Sequence, residues 1–380
     1  MRLIHTSDWH FGKRFQETDL LPLQEQFCDW LVDLISQEKI EGVLIAGDLY
    51  ERANPKENAV DLLDDVLQRI RAAGASIVAI SGNHDSAERL HFGSRFMAGN
   101  GLTISTERRQ IALIAPPTTL RGKDGLDVEI LPLPYLDPQR VALQDGSKRD
   151  HETVLREVIN NQIANLKNPS HTIAMAHAFV GGCTTSESER ALTVGGTGSV
   201  PADLFDKFGY TALGHLHRPQ EIRKGLLAYS GSPMSYSFSE DHQKSVRIIE
   251  VTESAITSST LNIDVGRPVI TIKDTFDKIL NAVKYEVHVN SFVRALITDS
   301  NFKVGAMESL RQRFPHILDL QQIAISQQGR LKLEKYGDFA KRSEKEIIDS
   351  YVKETFEEGL DEFELQFIND SMTQILKSDH

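Results

Sequence analysis

The chain has 380 residues, of which 40% are hydrophobic and 25% charged, a composition that excludes general disorder and suits two domains with a short appendage. No stretch approaches the roughly 18 apolar residues of a transmembrane helix, and the first residues resemble a strand more than a signal peptide, so we expect a cytoplasmic protein. Two cysteines, Cys28 and Cys183, exclude a disulfide framework.

The net charge of −12 gives no basic footprint of the kind that marks many nucleic-acid-binding proteins. Half of the acidic excess lies in residues 331–380, which hold 7 Lys and Arg against 13 Asp and Glu. Carboxylates that bind divalent cations also make a chain formally more negative than its metal-loaded form. The acidity is therefore compatible with a DNA substrate without favouring one.

Short apolar runs that end in polar clusters predict five buried strands, at residues 3–4, 43–46, 77–80, 173–176 and 211–213. Two amphipathic helices are predicted between the first three strands, because apolar residues recur there with helical spacing. These residues are Phe27, Trp30, Leu31, Leu34 and Ile35 in the first helix, and Ala59, Leu62, Leu63, Val66 and Ile70 in the second. The alternation predicts βαβ units with largely parallel strands.

A second region, residues 266–330, predicts a small α/β capping domain after a main domain of residues 1–265. It contains no cluster of reactive side chains. Its predicted elements are strands at 269–272 and 292–297 and helices at 276–283 and 307–313.

The last 50 residues, 331–380, predict two amphipathic helices, at about 343–356 and 361–376. Because the preceding domains already have cores, we expect this segment to bind a partner protein, with folding back on the capping domain as the alternative. The apolar face carries Ile348, Tyr351, Val352, Phe363, Phe367 and Met372.

Metal-binding residue types follow each of the five predicted strands directly. They are Asp8 and His10, then Asp48, then Asn83, His84 and Asp85, then His177, and finally His215 and His217. Because the carboxyl ends of parallel strands share one edge of a sheet, we expect all five clusters to meet in one crevice.

The donors are carboxylate, imidazole and amide groups, with no thiolate. Such a set is typical of a site for Mn²⁺, Fe or Zn²⁺ and not of a closed structural zinc site. Seven ligands are too many for one ion and suit two ions about 3.5–4 Å apart that share a carboxylate, as in enzymes that cleave phosphoesters. Each motif alone has an ordinary explanation, such as a turn at Gly-Asn-His-Asp. The prediction depends on their occurring together, in this order, each after an apolar run.

The order Asp-x-His, Gly-Asp, Gly-Asn-His-Asp, His and Gly-His-x-His resembles the calcineurin-like metallophosphoesterase superfamily, whose fold is a β-sandwich flanked by helices. Within it, residues 1–250 resemble the nuclease subunits of bacterial SbcCD-type complexes, especially in TSDWHFG (6–12), NHDSAERL (83–90), ALGHLHRPQ (212–220) and YSGSP (229–233). The resemblance implies a nuclease with Mn²⁺, or alternatively Mg²⁺, that degrades double-stranded DNA ends 3′ to 5′ and opens hairpins. It also implies a homodimer that joins an SbcC-type ATPase in a heterotetramer for DNA repair and recombination.

The same resemblance implies a role for each site residue. The first metal would be held by Asp8, His10 and His217, the second by Asn83, His177 and His215, and Asp48 would bridge them. His84 would contact the scissile phosphate and help the 3′ oxygen to leave, with Asp85 orienting its ring.

Archaeal and eukaryotic relatives carry a histidine three residues after the bridging aspartate, where this chain has Glu51. This departure leaves the balance of exonuclease and endonuclease activity open, and Glu51 is either part of the site or a solvated loop acid. Cys183 is interpreted as a bystander thiol. Candidate contacts to DNA phosphates are Lys13, Arg14, Arg89 and Arg95.

Two other functions stay open on the sequence. A protein phosphatase or small-molecule phosphodiesterase would use the same metals on the same fold, although it has little use for residues 266–380. A non-enzymatic scaffold that only tethers the ATPase is disfavoured, because every ligand position and His84 are intact.

Overall fold

The computed structural model describes residues 1–107, 116–141, 150–189, 198–299 and 305–323, all within the compact unit Met1–Ile323. The helices predicted at about 343–356 and 361–376 lie outside the described residues. Among the described residues, no helix has the length and apolar character needed to cross a membrane.

The described strands are β1 (Arg2–Thr6), β2 (Arg14–Phe15), β3 (Thr18–Asp19), β4 (Gly42–Ala46), β5 (Ser76–Ile80), β6 (Leu102–Ser105), β7 (Thr118–Arg121), β8 (Asp127–Leu133), β9 (Thr172–His177), β10 (Phe179–Val180), β11 (Ser199–Val200), β12 (Tyr210–Gly214), β13 (Gln220–Arg223), β14 (Leu227–Tyr229), β15 (Ser245–Val251), β16 (Ile256–Asn262), β17 (Val269–Asp274), β18 (Phe292–Ile297) and β19 (Ile317–Gln322). The described α-helices are α1 (Leu21–Gln37), α2 (Glu57–Ala72), α3 (Ala87–His91), α4 (Ser94–Ala98), α5 (His151–Ile163), α6 (Phe276–Asn281) and α7 (Ala306–Arg313). Short 3₁₀ helices lie at Pro169–His171, Ala202–Phe205 and Val283–His288.

Two six-stranded sheets form a sandwich. The first has the order β16-β15-β1-β4-β5-β6, with β1, β4, β5 and β6 parallel. The second has the order β13-β14-β12-β9-β8-β7, with β14, β12, β9 and β8 parallel. The parallel pairs around α1 and α2 confirm the predicted βαβ units, and the two sheets with their flanking helices confirm the expected fold class.

Buried side chains alternate between the two faces of the first sheet. Leu3 and Leu44 pack inside the sandwich, in one cluster with Met175 of the second sheet. Ile4 and Val43, their neighbours in sequence, join the cluster formed by α1 and α2 on the outer face. Since successive residues of a strand face opposite ways, strands covered on both faces have continuous apolar runs.

All five predicted strands are present, but they are divided between the sheets. β1, β4 and β5 belong to the first sheet, whereas β9 and β12 belong to the second. The expectation of a single sheet edge is therefore corrected, because the polar clusters meet where the ends of two facing sheets come together. Apolar runs show that strands are buried but not which sheet each one joins.

A three-stranded parallel sheet, in the order β17-β18-β19, lies beyond the sandwich in sequence. Its core includes Ile279 of α6 and Leu310 of α7, which pack against Ile272 and Val293. The four elements predicted between residues 269 and 313 are found as β17, α6, β18 and α7, and β19 was not predicted. The domain boundary at residue 266 stays a prediction.

Candidate metal centre

Left-handed backbone conformations place four of the predicted ligands at the strand ends. The φ angle is 55° at Asp8, 47° at His10, 52° at Asp48 and 107° at His215. Residues with a Cβ rarely adopt positive φ, and holding one there costs of order 1–3 kcal/mol. Strain of this kind concentrates at functional sites, where the surrounding structure fixes the direction of a side chain.

Two glycines allow the strand ends to approach one another closely. A Cβ on Gly82 would collide with the Asp48 carboxylate, and a Cβ on Gly214 would collide with the carbonyl oxygen of Ala46. Glycine is therefore required at these positions for space.

The residues predicted for the second metal converge around the amide oxygen of Asn83. This Oδ1 atom lies 3.0 Å from Nε2 of His177 and 3.0 Å from Nδ1 of His215. Nε2 of His177 also lies 3.5 Å from Oδ2 of Asp48. One carboxylate, one amide and two imidazoles thus meet at a single point between the sheets.

The residues predicted for the first metal form a neighbouring group. Nε2 of His10 lies 3.2 Å from Nε2 of His217 and 3.5 Å from Oδ2 of Asp48. Asp8, His10 and His217 each offer a ligand atom within 4.8 Å of the others. Asp48 therefore lies 3.5 Å from an imidazole nitrogen of each group.

The electrostatics of these groups fit divalent cations. Burial raises the pKa of the Asp8 carboxyl to about 8, opposed by the charge of His177 and increased further by that of Asp48. Burial also disfavours ionised Asp48, but the charge and hydrogen bond of His177 hold its pKa well below the usual value. The charge of Asp48 in turn raises the pKa of His177 to about 9 against the effect of burial. Without metal, bound protons balance the negative charge of the carboxylates. Divalent cations would replace these protons on binding.

Hydrogen bonds behind two of the histidines fix which ring nitrogen faces the site. Nδ1 of His177 donates to the carbonyl oxygen of Ala46 at 2.8 Å, so Nε2 is the nitrogen that faces the site and offers a lone pair once its proton is lost. Nδ1 of His217 lies 2.7 Å from Oγ of Ser188, whose hydroxyl donates to the Glu240 carboxylate. Such contacts orient metal ligands and set their tautomers.

The sequence interpretation missed the Glu240 network. Glu240 is fully buried and accepts a hydrogen bond of 2.5 Å from Nζ of Lys244, which also contacts Oγ of Ser232 at 3.0 Å. Burial disfavours the charged carboxylate, but Lys244 and His217 hold the pKa of Glu240 well below its usual value. These residues belong to loops without a periodic pattern, so the sequence contains no signal that would have found them.

His84 lies beside both metal groups. Its backbone N–H donates to Oδ1 of Asp48 at 2.8 Å, and its ring nitrogen Nδ1 donates to the carbonyl oxygen of Glu51 at 2.8 Å. The ring lies edge-on to that of His10, with centroids 4.6 Å apart. His10, Asp48 and His84 also offer atoms within 4.8 Å of one another, so geometry alone allows His84 to bind a metal.

Asp85 has different partners from those expected. Its carboxylate accepts hydrogen bonds from the backbone N–H groups of Gly82, Leu49 and Tyr50, at 2.9, 3.2 and 3.0 Å. In the described residues the His84 ring is oriented by the carbonyl of Glu51 and not by Asp85. Asp85 instead ties together the two loops that carry Asp48 and His84.

Two of the candidate phosphate contacts are paired with acids. Nζ of Lys13 lies 2.9 Å from Oε2 of Glu51, and Arg14 pairs with Glu17. Cys183 is a free thiol that packs against the core of the second sheet, which agrees with a bystander.

The sequence pattern of the calcineurin-like phosphoesterases matches residues 1–219, more than half of the chain, and the protein belongs to this family. Family and donor cluster together define a phosphoester hydrolase that uses divalent metals. The chain is 28% identical over 381 residues to the SbcD subunit of the nuclease SbcCD from Staphylococcus epidermidis, with 99% of each chain covered, which confirms the resemblance found in the motifs. A solved dimetal phosphatase from Danio rerio is 11% identical with a TM-score of 0.41, covering 70% of this chain and 98% of its own.

Proposed function

We propose that this protein is the nuclease subunit of an SbcCD-type complex, which hydrolyses phosphodiester bonds at double-stranded DNA ends and in hairpins with Mn²⁺. The observation that carries the proposal is the similarity to a nuclease subunit along 99% of the chain, well beyond the 219 residues of the shared phosphoesterase pattern. If the chain were a general phosphatase, we would expect it to resemble that nuclease subunit around the metal centre but not along the rest of the chain.

The two donor groups would hold one divalent cation each, with Asp48 shared. When bound, the cations would polarise the phosphoryl oxygens and lower the pKa of water in the crevice. The protein contributes donors that are already in place, because the rings of His177 and His217 are held by hydrogen bonds that they donate to the carbonyl oxygen of Ala46 and to Oγ of Ser188. Prepositioned ligands reduce the reorganisation needed during the reaction.

His84 is the residue we propose for the leaving 3′ oxygen. Because its Nδ1–H is donated to the carbonyl of Glu51, a second proton would be carried on Nε2, from where it can pass to the departing oxygen. Burial lowers the pKa of the His84 ring to about 4. The negative charge of a bound phosphodiester would raise that pKa and the two cations would lower it, so proton donation requires the phosphate to lie closer to the ring than the cations do.

Asp85 would act as a positioning residue. Its three backbone hydrogen bonds join the loop after β4 to the loop after β5. The distance between Asp48 and His84 therefore depends on Asp85, although its carboxylate touches neither donor group.

We further propose that a second copy of the chain packs against the surface of α2, α3 and α4. Three apolar side chains lie exposed there, with Phe92 85%, Phe96 86% and Val60 42% accessible to solvent. Exposed apolar side chains of this size are typical of an interaction surface. In the resembled family, part of the region of the two helices before Ser86, to which α2 belongs, pairs two subunits. Phe96→Glu should convert the dimer to a monomer in analytical ultracentrifugation, and an unchanged dimer would contradict this surface.

The partner would be an SbcC-type ATPase that binds the apolar face of residues 343–376, which lie outside the described residues. Replacement of Phe363 and Phe367 by Glu in the full chain would place charges in that face. We expect the double variant to cleave simple DNA normally but to lose the ATPase in a pull-down. Undiminished capture of the ATPase would contradict docking through this face.

The nuclease proposal is tested with labelled linear duplex DNA, hairpin DNA and a chromogenic phosphodiester, each with Mn²⁺ or Mg²⁺ and with or without the ATPase. We expect Mn²⁺-dependent shortening of duplex 3′ ends and opening of hairpins, with His84→Ala as the inactive control. Turnover of the chromogenic ester with intact DNA would instead identify a small-molecule phosphodiesterase. Cleavage of none of these substrates would favour a scaffold.

A further inference from the structure

We propose that Glu51 is a positioning residue of the metal centre, holding His10 through its carboxylate and His84 through its carbonyl oxygen. The inference rests on the proposed two-metal function and assigns to Glu51 a role that the sequence left open. A single residue would thus orient one candidate ligand and the ring proposed for the leaving group.

The contacts of Glu51 reach both histidines. Oε2 lies 3.0 Å from Nδ1 of His10 and 2.9 Å from Nζ of Lys13. The carbonyl oxygen of Glu51 accepts from Nδ1 of His84 at 2.8 Å, and the carboxylate lies 3.6 Å from the same nitrogen. The 3.0 Å contact with His10 is too poorly aligned to be a hydrogen bond in this structure. A carboxylate this close still favours the proton on Nδ1, which leaves Nε2 of His10 as the atom that faces His217 and Asp48.

The surroundings of Glu51 argue against a solvated loop acid. Its side chain is 20% exposed, and that of its partner Lys13 is 10% exposed. The Lys13 ammonium also lies over the ring of Tyr236, 5.2 Å from the centroid. A partly buried carboxylate with two cationic or proton-donating neighbours is held in one orientation, whereas a solvated acid would be free to rotate.

Backbone pairing explains how the carboxylate reaches His10. Leu49 accepts a hydrogen bond from the N–H of Phe11 at 2.9 Å, and Phe11 accepts one from the N–H of Glu51 at 3.2 Å. The loop after β1, which carries His10, is thereby joined to the loop after β4. Glu51 follows Asp48 by three residues. The same loop therefore fixes both the Asp48 carboxylate, which the two metal groups share, and the Glu51 carboxylate beside His10.

The test compares Glu51→Ala and Glu51→Gln in the full chain by calorimetric titration with Mn²⁺ in the absence of DNA. Loss of a group behind a metal-binding histidine lowers affinity about 10–100-fold, and we expect this for Glu51→Ala. Glu51→Gln should lose less, because its amide oxygen can take the place of the carboxylate oxygen beside Nδ1 of His10. Glu17→Ala is the matched control, since Glu17 is fully exposed and pairs with Arg14 at the surface.

An Mn²⁺ affinity of Glu51→Ala within twofold of the parent chain would overturn the proposal. Equal losses of Mn²⁺ affinity in Glu51→Ala and Glu51→Gln would also overturn it, because only the negative charge of Glu51 would then matter and not its position beside the ring. If Glu51→Ala does not fold, the ¹⁵N chemical shifts of His10 in Glu51→Gln decide the question. A ring still protonated on Nδ1 supports the positioning role, and a mixture of both tautomers overturns it. This titration contains no DNA, so its result does not depend on nuclease activity. Failure of the nuclease proposal would be seen in the separate cleavage assay, as a chain that binds two Mn²⁺ and leaves DNA intact.

Discussion

Nδ1 of His177 donates a hydrogen bond of 2.8 Å to the carbonyl oxygen of Ala46. Ala46 ends β4 of the first sheet, and His177 ends β9 of the second, so this bond crosses between the sheets where the metal centre lies. It also fixes the orientation of the His177 ring, with Nε2 facing Asn83. The packing of the sandwich and the geometry of the donors are therefore set by the same contact.

Gly214 lies against the same carbonyl oxygen, and we expect Gly214→Ala to destabilise the fold. The added Cβ would overlap the Ala46 carbonyl, and relief requires the two sheets to separate locally. We expect the free energy of unfolding in urea to fall by about 1–3 kcal/mol, as for other overpacked cores. Gly181→Ala is the control, because its Cβ would meet nothing closer than 3.6 Å. Equal stability of the two variants would contradict this reasoning.

His84→Ala should reduce DNA strand cleavage by about 10²–10⁴-fold, the usual contribution of a group that transfers a proton. Both metals should stay bound, because the donor groups are complete without His84. Elemental analysis of the purified variant measures the metal content. Loss of about one metal per chain would show that His84 is a ligand, a role that its distance of 4.0 Å from Oδ2 of Asp48 permits.

Asp48→Asn should weaken both metal sites together, whereas His177→Ala should weaken mainly one. Asp48 lies 3.5 Å from the imidazole nitrogens of both His10 and His177. Nε2 of His177 lies 3.0 Å from Oδ1 of Asn83, and the ring also offers an atom within 4.8 Å of Asp8, so its effect on the first site should be the smaller one. Mn²⁺ titration followed by calorimetry gives the affinity and the number of sites for each variant. Full occupancy of both sites in Asp48→Asn would rule out a shared carboxylate.

Mn²⁺ binding at pH 7 should release protons. Burial raises the pKa of Asp8, and the charge of Asp48 raises the pKa of His177 against the effect of burial, so the metal-free site favours protonated forms at pH 7. Ligation needs the deprotonated forms, so protons are released on binding and the affinity rises as the pH increases above 7. Calorimetry in two buffers with different ionisation enthalpies measures the release. Identical binding enthalpies in the two buffers would contradict the assignment.

Local patterns explain what could be predicted from the sequence. Each donor directly follows a buried apolar strand, so strand and donor are visible together, as at Ala46 and Asp48. The contacts of Ser188 with His217 and of Glu240 with Lys244 join separate loops, and no periodicity reports such pairs. Asp85 was recognised as a site residue, yet its backbone partners depend on how two loops fold together.

The most direct measurement is anomalous X-ray scattering from crystals of the full chain soaked in Mn²⁺. We expect two manganese peaks about 3.5–4 Å apart on either side of the Asp48 carboxylate, one among Asp8, His10 and His217 and the other among Asn83, His177 and His215. A single peak, or peaks away from Asp48, would contradict the two-metal centre on which the proposed cleavage of DNA depends.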